Sequence, residues 1–387
     1  MNKPKALILS ERTFHNAPRI IREIAALRDV FDIQTIGRSA PSDQSIPFQP
    51  IEDFIPFANK AWNKIFRELY YRKVCSFFAE YYPLLERYIQ KEAIDVVIIH
   101  EPGFLPMMKR LKKKRPIQLI YNAHEYHPLE FEEKPGWLAG VGRYQYSLYQ
   151  RYLKVCDLML NVCEGIRLKC LEEFGMDSLT IPNAAACQSF TPVLHREGPF
   201  RMIYHGGIMR SRGIEHMIRL CTLLGEGFTL DIMGTVPKND RAYFDEIMHL
   251  IEQTPNVHFR PAVDFDQIIP TIREYDIGLY ILQPVNFNNR HALPNKFFEY
   301  IQARLALAIA PSPEMKRICE QYHLGVVATD FTPESLAASL KSLTSEQVNI
   351  YKQNAHQAAA IEHAEHYELL YRRAVLNLWK KEQVTLQ

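Results

Sequence analysis

The sequence has no GxGxxG turn and no phosphate-binding P-loop, so hydride transfer on a dinucleotide and kinase-type chemistry lose their main support. HGGIMRSRG, residues 205–213, has adjacent glycines but the wrong spacing for a dinucleotide fingerprint. There is no CxxC pair. The 7 cysteines are scattered and odd in number, which argues for reduced thiols and against a disulfide framework or a zinc site. No apolar run approaches the ~18 residues of a membrane-spanning helix. The net charge is only +2, so no global field argues for nucleic acid. Short-period repeats and low-complexity segments are absent. The apolar part of MNKPKALILS is too short for a signal peptide and reads as a first strand, so the expected compartment is the cytoplasm.

What remains has ordinary globular proportions, with 47% hydrophobic and 23% charged residues in 387. That length implies two domains, each with its own core. Short apolar runs alternate with helical patterns. The candidate strands are Ala6–Leu9, Phe31–Ile36, Val96–Ile99, Gln118–Tyr121, Leu158–Val162 and Leu179–Ile181, then Arg201–Tyr204, Thr229–Met233, Val257–Phe259, Ile277–Tyr280 and Leu305–Ala310. Such alternation predicts parallel sheets covered on both faces. Between the two series lies TPVLHREGP, Thr191–Pro199, the best linker in the chain. The expected architecture is α/β: two Rossmann-like halves, 1–190 and 191–369, with a cleft at the carboxyl ends of their strands.

The most informative stretch is NRHALPNKFFEYIQARLALAIAPSPEM, Asn289 to Met315. It reads as a helix feeding a strand. Pro294 suits the first helical position, where a missing N–H costs nothing. Leu293 before it has no side-chain oxygen for the first-turn amides. Open amides, the positive end of the helix dipole and a nearby Lys296 make an anion site. Glu299 follows about one turn later. Phosphates on the amides and ribose hydroxyls on the carboxylate would suit a nucleotide. The same residues also fit a surface helix leading into a core strand.

A second stretch, IYHGGIMRSRGIEHMIRL, follows the first strand of the second half. Gly206 and Gly207 permit a tight turn and close backbone approach. Arg210 and Arg212 precede the next helix, and either could grip a diphosphate. A basic turn on a solvated helix start has the same composition.

These stretches, taken in order, resemble the family 4 glycosyltransferases, which have the GT-B fold. ILSERTFHNAPRIIREIAAL resembles that family's first loop and helix, with Pro18, Arg19, Arg22 and Glu23 in a "PRVxRE" pattern. LIYNAHEYHP resembles "VYDAHE", NVCEGIRLKCLEEFG resembles "VSEGI" and TIPNAAACQSF resembles "VIPNGVD". YHGGIMRSRGIE resembles the phosphate-binding turn and LPNKFFEY resembles "PSKLFEY". HAEHYELLYRRAV resembles the terminal helix that crosses back, so 370–387 would complete the first domain.

The resemblance implies site residues. Gly206, Gly207, Arg210, Arg212, His291, Asn295, Lys296 and Glu299 would bind the donor, with Arg212 on its diphosphate and Glu299 on its ribose. His124, Arg212 and Glu299 would carry catalysis, His124 lying near the reacting sugar carbon. The family's second basic residue falls on Gly207, which leaves Arg210 as a substitute. The first glutamate of its E-x7-E element falls on His291. Arg304 replaces a glycine that normally ends the helix in the left-handed conformation. His15, Asn16, Arg19, His100 and Glu101 would contact the acceptor. Glu125, beside His124, could orient an imidazole.

Asp264 and Asp266 form the one DxD pair, and their position before QIIPTIREY suits helix capping better than a metal. No metal and no cofactor is implied; a UDP- or GDP-linked nucleotide sugar would be the co-substrate. Lys109, Arg110, Lys112, Lys113, Lys114 and Arg115 form a basic cluster, and Phe54 to Tyr82 is rich in aromatic and basic residues. Together they fit attachment to an anionic membrane surface, or a solvated face beside a packed aromatic helix. The implied function is retaining transfer of a sugar to a glycan or lipid-linked acceptor in bacterial surface polysaccharide synthesis, at the inner membrane face. An epimerase or hydrolase of the same fold is an alternative. So is an inactive binding scaffold, which His291 favours.

Overall fold

A computed structural model describes residues 3–15, 17–55, 57–71, 73 and 82–385. The chain divides into two compact units. The first comprises Met1–Pro182, Asn286–Asn288 and Tyr367–Gln387; the second comprises Asn183–Val285 and Asn289–His366.

The first unit holds seven strands: β1 (Lys5–Leu9), β2 (Asp32–Gly37), β3 (Phe48–Pro50), β4 (Val96–Ile99), β5 (Gln118–Asn122), β6 (Leu158–Asn161) and β7 (Leu179–Thr180). They pair in the order β3-β2-β1-β4-β5-β6-β7, all parallel. The second unit holds β8 (Phe200–Gly207), β9 (Phe228–Thr235), β10 (Val257–Pro261), β11 (Ile277–Tyr280), β12 (Ala306–Ile309) and β13 (Gly325–Val327). Their order is β10-β9-β8-β11-β12-β13, again parallel. Both sheets are Rossmann-like. The strand order reverses between β1 and β4 in one and between β8 and β11 in the other, and loops at such points form ligand crevices. VVII of β4 and ALAI of β12 are buried along their whole length, the pattern of a sheet covered on both faces.

The final helix, Ala364–Thr385, returns to the first unit. Tyr371 and Val375 join the core formed by Ile20, Ile24, Leu27 and Phe31. Trp379 meets Phe31 edge-on at 6.0 Å, and Gln118 donates to the Leu378 carbonyl at 3.0 Å. The expected linker, Thr191–Pro199, lies inside the second unit. His195 in its middle is buried, exchanges backbone–side-chain bonds with Asn349 (2.8 and 2.9 Å) and lies 3.1 Å from Asp276. The first unit ends earlier than expected, because Ala185 accepts from Ala364 N and Gln188 N donates to Gln302.

Candidate functional site

In the first unit, the chain leaves β1, β4 and β5 beside the strand-order reversal. After β1, Ser10 Oγ donates to Glu101 Oε1 at 2.8 Å and Glu11 N donates to Glu101 Oε2 at 3.0 Å. Arg12 adds a guanidinium 3.6 Å away, so the Glu101 carboxylate braces this loop. His100 is fully enclosed; its Nδ1 lies 2.7 Å from His124 Nε2 and its Nε2 lies 3.1 Å from Glu23 Oε2. Glu23 also accepts from Asn122. Arg19 precedes Glu23 by one turn on the buried face of the helix Pro18–Leu27 and donates to the Ile181 carbonyl. Burial lowers its guanidinium to about 10, opposed by the Glu23 charge. Burial, then the Arg19 charge, holds the His124 imidazole well below its ordinary range, so it is neutral near pH 7.

His100, Glu101, Arg19 and His124 are thus gathered around this loop region. Exposed His15 instead meets Ser42, Oγ to Nδ1 at 3.4 Å, and Asn16 lies outside the described residues. Glu125 meets the His127 imidazole through its backbone. It pairs with Glu130, whose carboxyl is raised to about 7 by burial and by the Glu125 charge. His127, adjacent in sequence, is a core residue within 3.2 Å of the Tyr121 and Tyr149 hydroxyls; burial lowers it to about 4. Sequence reasoning missed Glu23 and Asn122 as the groups behind His100. It also missed a cavity of about 320 Å³ lined by Glu11, Arg38, Glu52, Asn63, Lys64 and Arg67.

In the second unit, β8 ends in His205, Gly206 and Gly207. Gly206 has φ +133°, and a Cβ there would lie 2.9 Å from Lys296 Nζ. A side chain would therefore strain the backbone and collide with the lysine. Lys296 sits over the rings of Tyr204 (3.9 Å) and Tyr280 (4.5 Å), which stack with 15° between their planes. Arg212, from the 3₁₀ turn Arg210–Arg212, donates to Tyr280. Burial pushes the Lys296 ammonium well below its usual range; Arg212 pushes it further and Glu299 opposes. Two cations are thus held close, with one nearby carboxylate to offset them. An anion would relieve their repulsion.

The helix of the "PNKFFEY" motif spans Asn295–Gln302, with Pro294 at the cap position and not inside it. No side chain caps this end, and of its first-turn amides Phe297 N donates to the Pro294 carbonyl at 3.0 Å. Asn295 accepts from Asn183 at 2.6 Å, which ties the "IPNAA" segment to the helix start. One turn on, Glu299 is buried, with Oε2 3.2 Å from His205 Nε2; burial lowers the His205 imidazole. His291 lies 3.5 Å from the buried carboxylate of Glu314, in the first turn of the helix Pro313–Tyr322. Sequence spacing gave no sign of this carboxylate.

Arg210 does not join Lys296 and Arg212. Its Nη2 lies 2.8 Å from both oxygens of Glu246, and the side chain is 63% exposed. The amine near Gly206 and Arg212 is Lys296. Asp264 occupies the cap position of a 3₁₀ turn, but its side chain makes no capping bond. Arg304 does adopt the left-handed conformation, φ +63°. Its guanidinium donates to the carbonyls of Gln302 and Gln188, each at 2.5 Å, which offsets the strain.

The basic cluster is largely paired. Arg110 donates to Glu86 at 2.7 Å and Lys112 to Asp157 at 2.5 Å; Lys114 and Arg115 lie 3.8 and 3.9 Å from Glu86 and Asp95. In the helix Phe57–Tyr71, Trp62, Ile65 and Phe66 form an exposed ridge (59, 51 and 40%), with Trp62 and Phe66 stacked at 5.8 Å. Residues 56, 72 and 74–81 of this aromatic stretch lie outside the described residues. Among the described residues no helix is long and apolar enough to cross a membrane.

No protein-family model and no curated protein matches the sequence. Solved structures match its fold. Sucrose-phosphate synthase from Thermosynechococcus elongatus has a TM-score of 0.70 over 97% of this chain and 100% of its own, at 11% identity. HepE from Anabaena, in complex with UDP, has a TM-score of 0.67 over 97% and 100%, at 13% identity. WaaG, a glycosyltransferase involved in lipopolysaccharide biosynthesis, has a TM-score of 0.65 over 96% and 99%, at 13% identity. At these identities the likeness is one of fold, and that fold is GT-B.

Proposed function

We propose that the protein is a glycosyltransferase that moves a sugar, with retention, from a UDP- or GDP-linked donor to a hydroxyl of a glycan or lipid-linked acceptor. The observation that carries this reading is the crowding of Lys296 and Arg212 beside an uncapped helix start, with Glu299 one turn below. Phosphate oxygens would take the amides and the two cations, and ribose hydroxyls would take Glu299. Negative charge grows on the diphosphate as the glycosidic bond breaks, so fixed cations and a helix dipole stabilise the transition state more than the ground state. The neutral imidazole of His124 would exchange a hydrogen bond with a sugar or acceptor hydroxyl. Retention means that the acceptor oxygen enters on the face the diphosphate leaves. No cofactor is needed, because the nucleotide sugar is itself a substrate. The UDP bound in HepE and the lipopolysaccharide role of WaaG favour a nucleotide-sugar donor and a bacterial surface-glycan product.

The acceptor contacts would come from the first unit, around Arg19, His100 and Glu101. A lipid-linked acceptor at the cytoplasmic face of an anionic membrane fits the Trp62 ridge. The paired state of Lys109–Arg115 makes charge the smaller part of such attachment. A second reading, a binding scaffold without turnover, has His291 behind it. The test is incubation with UDP- and GDP-sugars, with and without glycan acceptors, followed by product analysis. Acceptor-dependent release of nucleoside diphosphate with a new α- or β-linkage matching the donor supports transfer. Donor consumption indifferent to acceptor points to hydrolysis or epimerisation, and binding without consumption points to the scaffold.

A further inference from the structure

The groups buried behind His124 decide which of its ring nitrogens carries the proton. Glu23 Oε2 lies 3.1 Å from His100 Nε2, and neither atom has another hydrogen-bond partner among the described residues. Two lone pairs facing each other at that distance would repel, so a proton lies between them. Glu23 keeps its negative charge: its Oε1 accepts from Asn122, and the Arg19 cation sits one turn earlier on the same buried helix face. The proton therefore belongs to His100 Nε2.

His100 is fully enclosed, and Arg19 already balances Glu23. A second buried cation would go uncompensated, so His100 is neutral. A neutral imidazole has one donor and one acceptor, which leaves His100 Nδ1 as the acceptor. That atom lies 2.7 Å from His124 Nε2. His124 must donate from Nε2, and its own lone pair falls on Nδ1.

From this geometry we infer that Glu23 and His100 are positioning residues that hold His124 in the Nε2–H tautomer and present its Nδ1 lone pair to a substrate hydroxyl. The role of that lone pair rests on the glycosyl-transfer reading; the tautomer itself does not. Glu23→Gln should reverse the relay. Asn122 donates at the Oε1 position and therefore favours the amide oxygen there, which turns the amide NH₂ toward His100 Nε2. His100 Nε2 becomes an acceptor, its proton moves to Nδ1, and His124 then accepts at Nε2 and carries its proton on Nδ1. No net charge changes.

The experiment is long-range ¹H–¹⁵N correlation on histidine-labelled full-length protein at neutral pH without substrate, with His124 assigned through His124→Asn. Nε2 protonated and Nδ1 bare is the expected wild-type pattern, reversed in Glu23→Gln. Turnover of Glu23→Gln should fall by roughly 10²-fold while the donor KM changes less than about twofold, since a wrong tautomer removes proton transfer and not binding. A His124 protonated at Nδ1 in the wild type overturns the inference without any variant, so a misfolded Glu23→Gln cannot shield it. An unchanged tautomer in folded Glu23→Gln overturns it as well. The expected spectra from a protein that transfers no sugar would sink the reaction and keep the relay; the wrong tautomer in an active enzyme would do the reverse.

Discussion

Glu299 directs Oε2 at His205 Nε2, 3.2 Å away. Burial lowers the imidazole, which favours its neutral form beside the carboxylate. Hydrogen bonds to a charged group contribute about 1.5–3 kcal/mol. Glu299→Ala should therefore weaken nucleoside diphosphate binding by roughly tenfold or more. Glu299→Gln, which keeps the accepting oxygen, should lose less. Calorimetry decides, and unchanged affinity in Glu299→Ala removes the ribose role.

Arg212 and Arg210 are two residues apart and should behave differently. Arg212→Ala and Lys296→Met each remove a cation from the proposed leaving-group site. Turnover should fall by roughly 10²-fold, with a smaller rise in KM. Arg210→Ala breaks an exposed pair with Glu246, worth about 0–1 kcal/mol of stability, and a cation–ring contact with Tyr243 at 4.8 Å, and should stay near wild-type turnover. Steady-state kinetics on the three variants tests this; a silent Lys296→Met would remove the amine beside Gly206 from the proposed leaving-group site.

Gly206→Ala should impair both folding and binding. The new Cβ would meet Lys296 Nζ at 2.9 Å, on a backbone at φ +133°. Strain of this kind costs on the order of 1–3 kcal/mol. A lowered Tm with weaker diphosphate binding is the expected result, and wild-type values for both would show that the turn adapts.

Glu130 supplies a pH test. Its folded value, about 7, lies above that of a free carboxyl. The folded state therefore holds the proton more tightly, and the associated stability is full at low pH and lost as pH rises through about 7. Glu130→Gln should remove this loss, so its Tm should change less between about pH 5 and about pH 8 than the wild type's. Equal slopes in the two proteins would show that the pair with Glu125 does not couple to folding.

Vesicle sedimentation tests the membrane reading. Since most of the Lys109–Arg115 cations face carboxylates, salt should release only part of the bound protein, even at a Debye length of roughly 8 Å. Trp62→Ser combined with Phe66→Ser should release most of it. Wild type left in the supernatant with anionic vesicles at low salt would end the lipid-linked proposal.

The long strands were legible because a strand buried on both faces is a continuous apolar run. β3 and β13 were not, because three residues at a sheet edge carry no periodicity. Pro294 marked the helix start to within one residue, since proline suits either side of that boundary. The prolines flanking Thr191–Pro199 suggested a linker, but His195 is anchored by Asp276 and Asn349, partners no local pattern reveals. The same limit hid Glu314 behind His291 and Glu23 behind His100. The motif fixed Arg212 and Arg210 as neighbours in a basic turn; which of them faces Lys296 is set by tertiary contacts with Tyr280 and Glu246.

The last helix gives the chain an order of assembly. A ribosome makes the first unit's sheet early but reaches Tyr371, Val375 and Trp379 only after the whole second unit. Until then Ile20, Ile24, Leu27 and Phe31 lack part of their cover, whereas the second unit, 183–285 with 289–366, is complete by residue 366. In order of synthesis the second half is thus complete before the first, against the usual N-terminal-first sequence. A nonsense codon shortly after position 366 would spare the second unit's residues and leave the first with an open, aggregation-prone core.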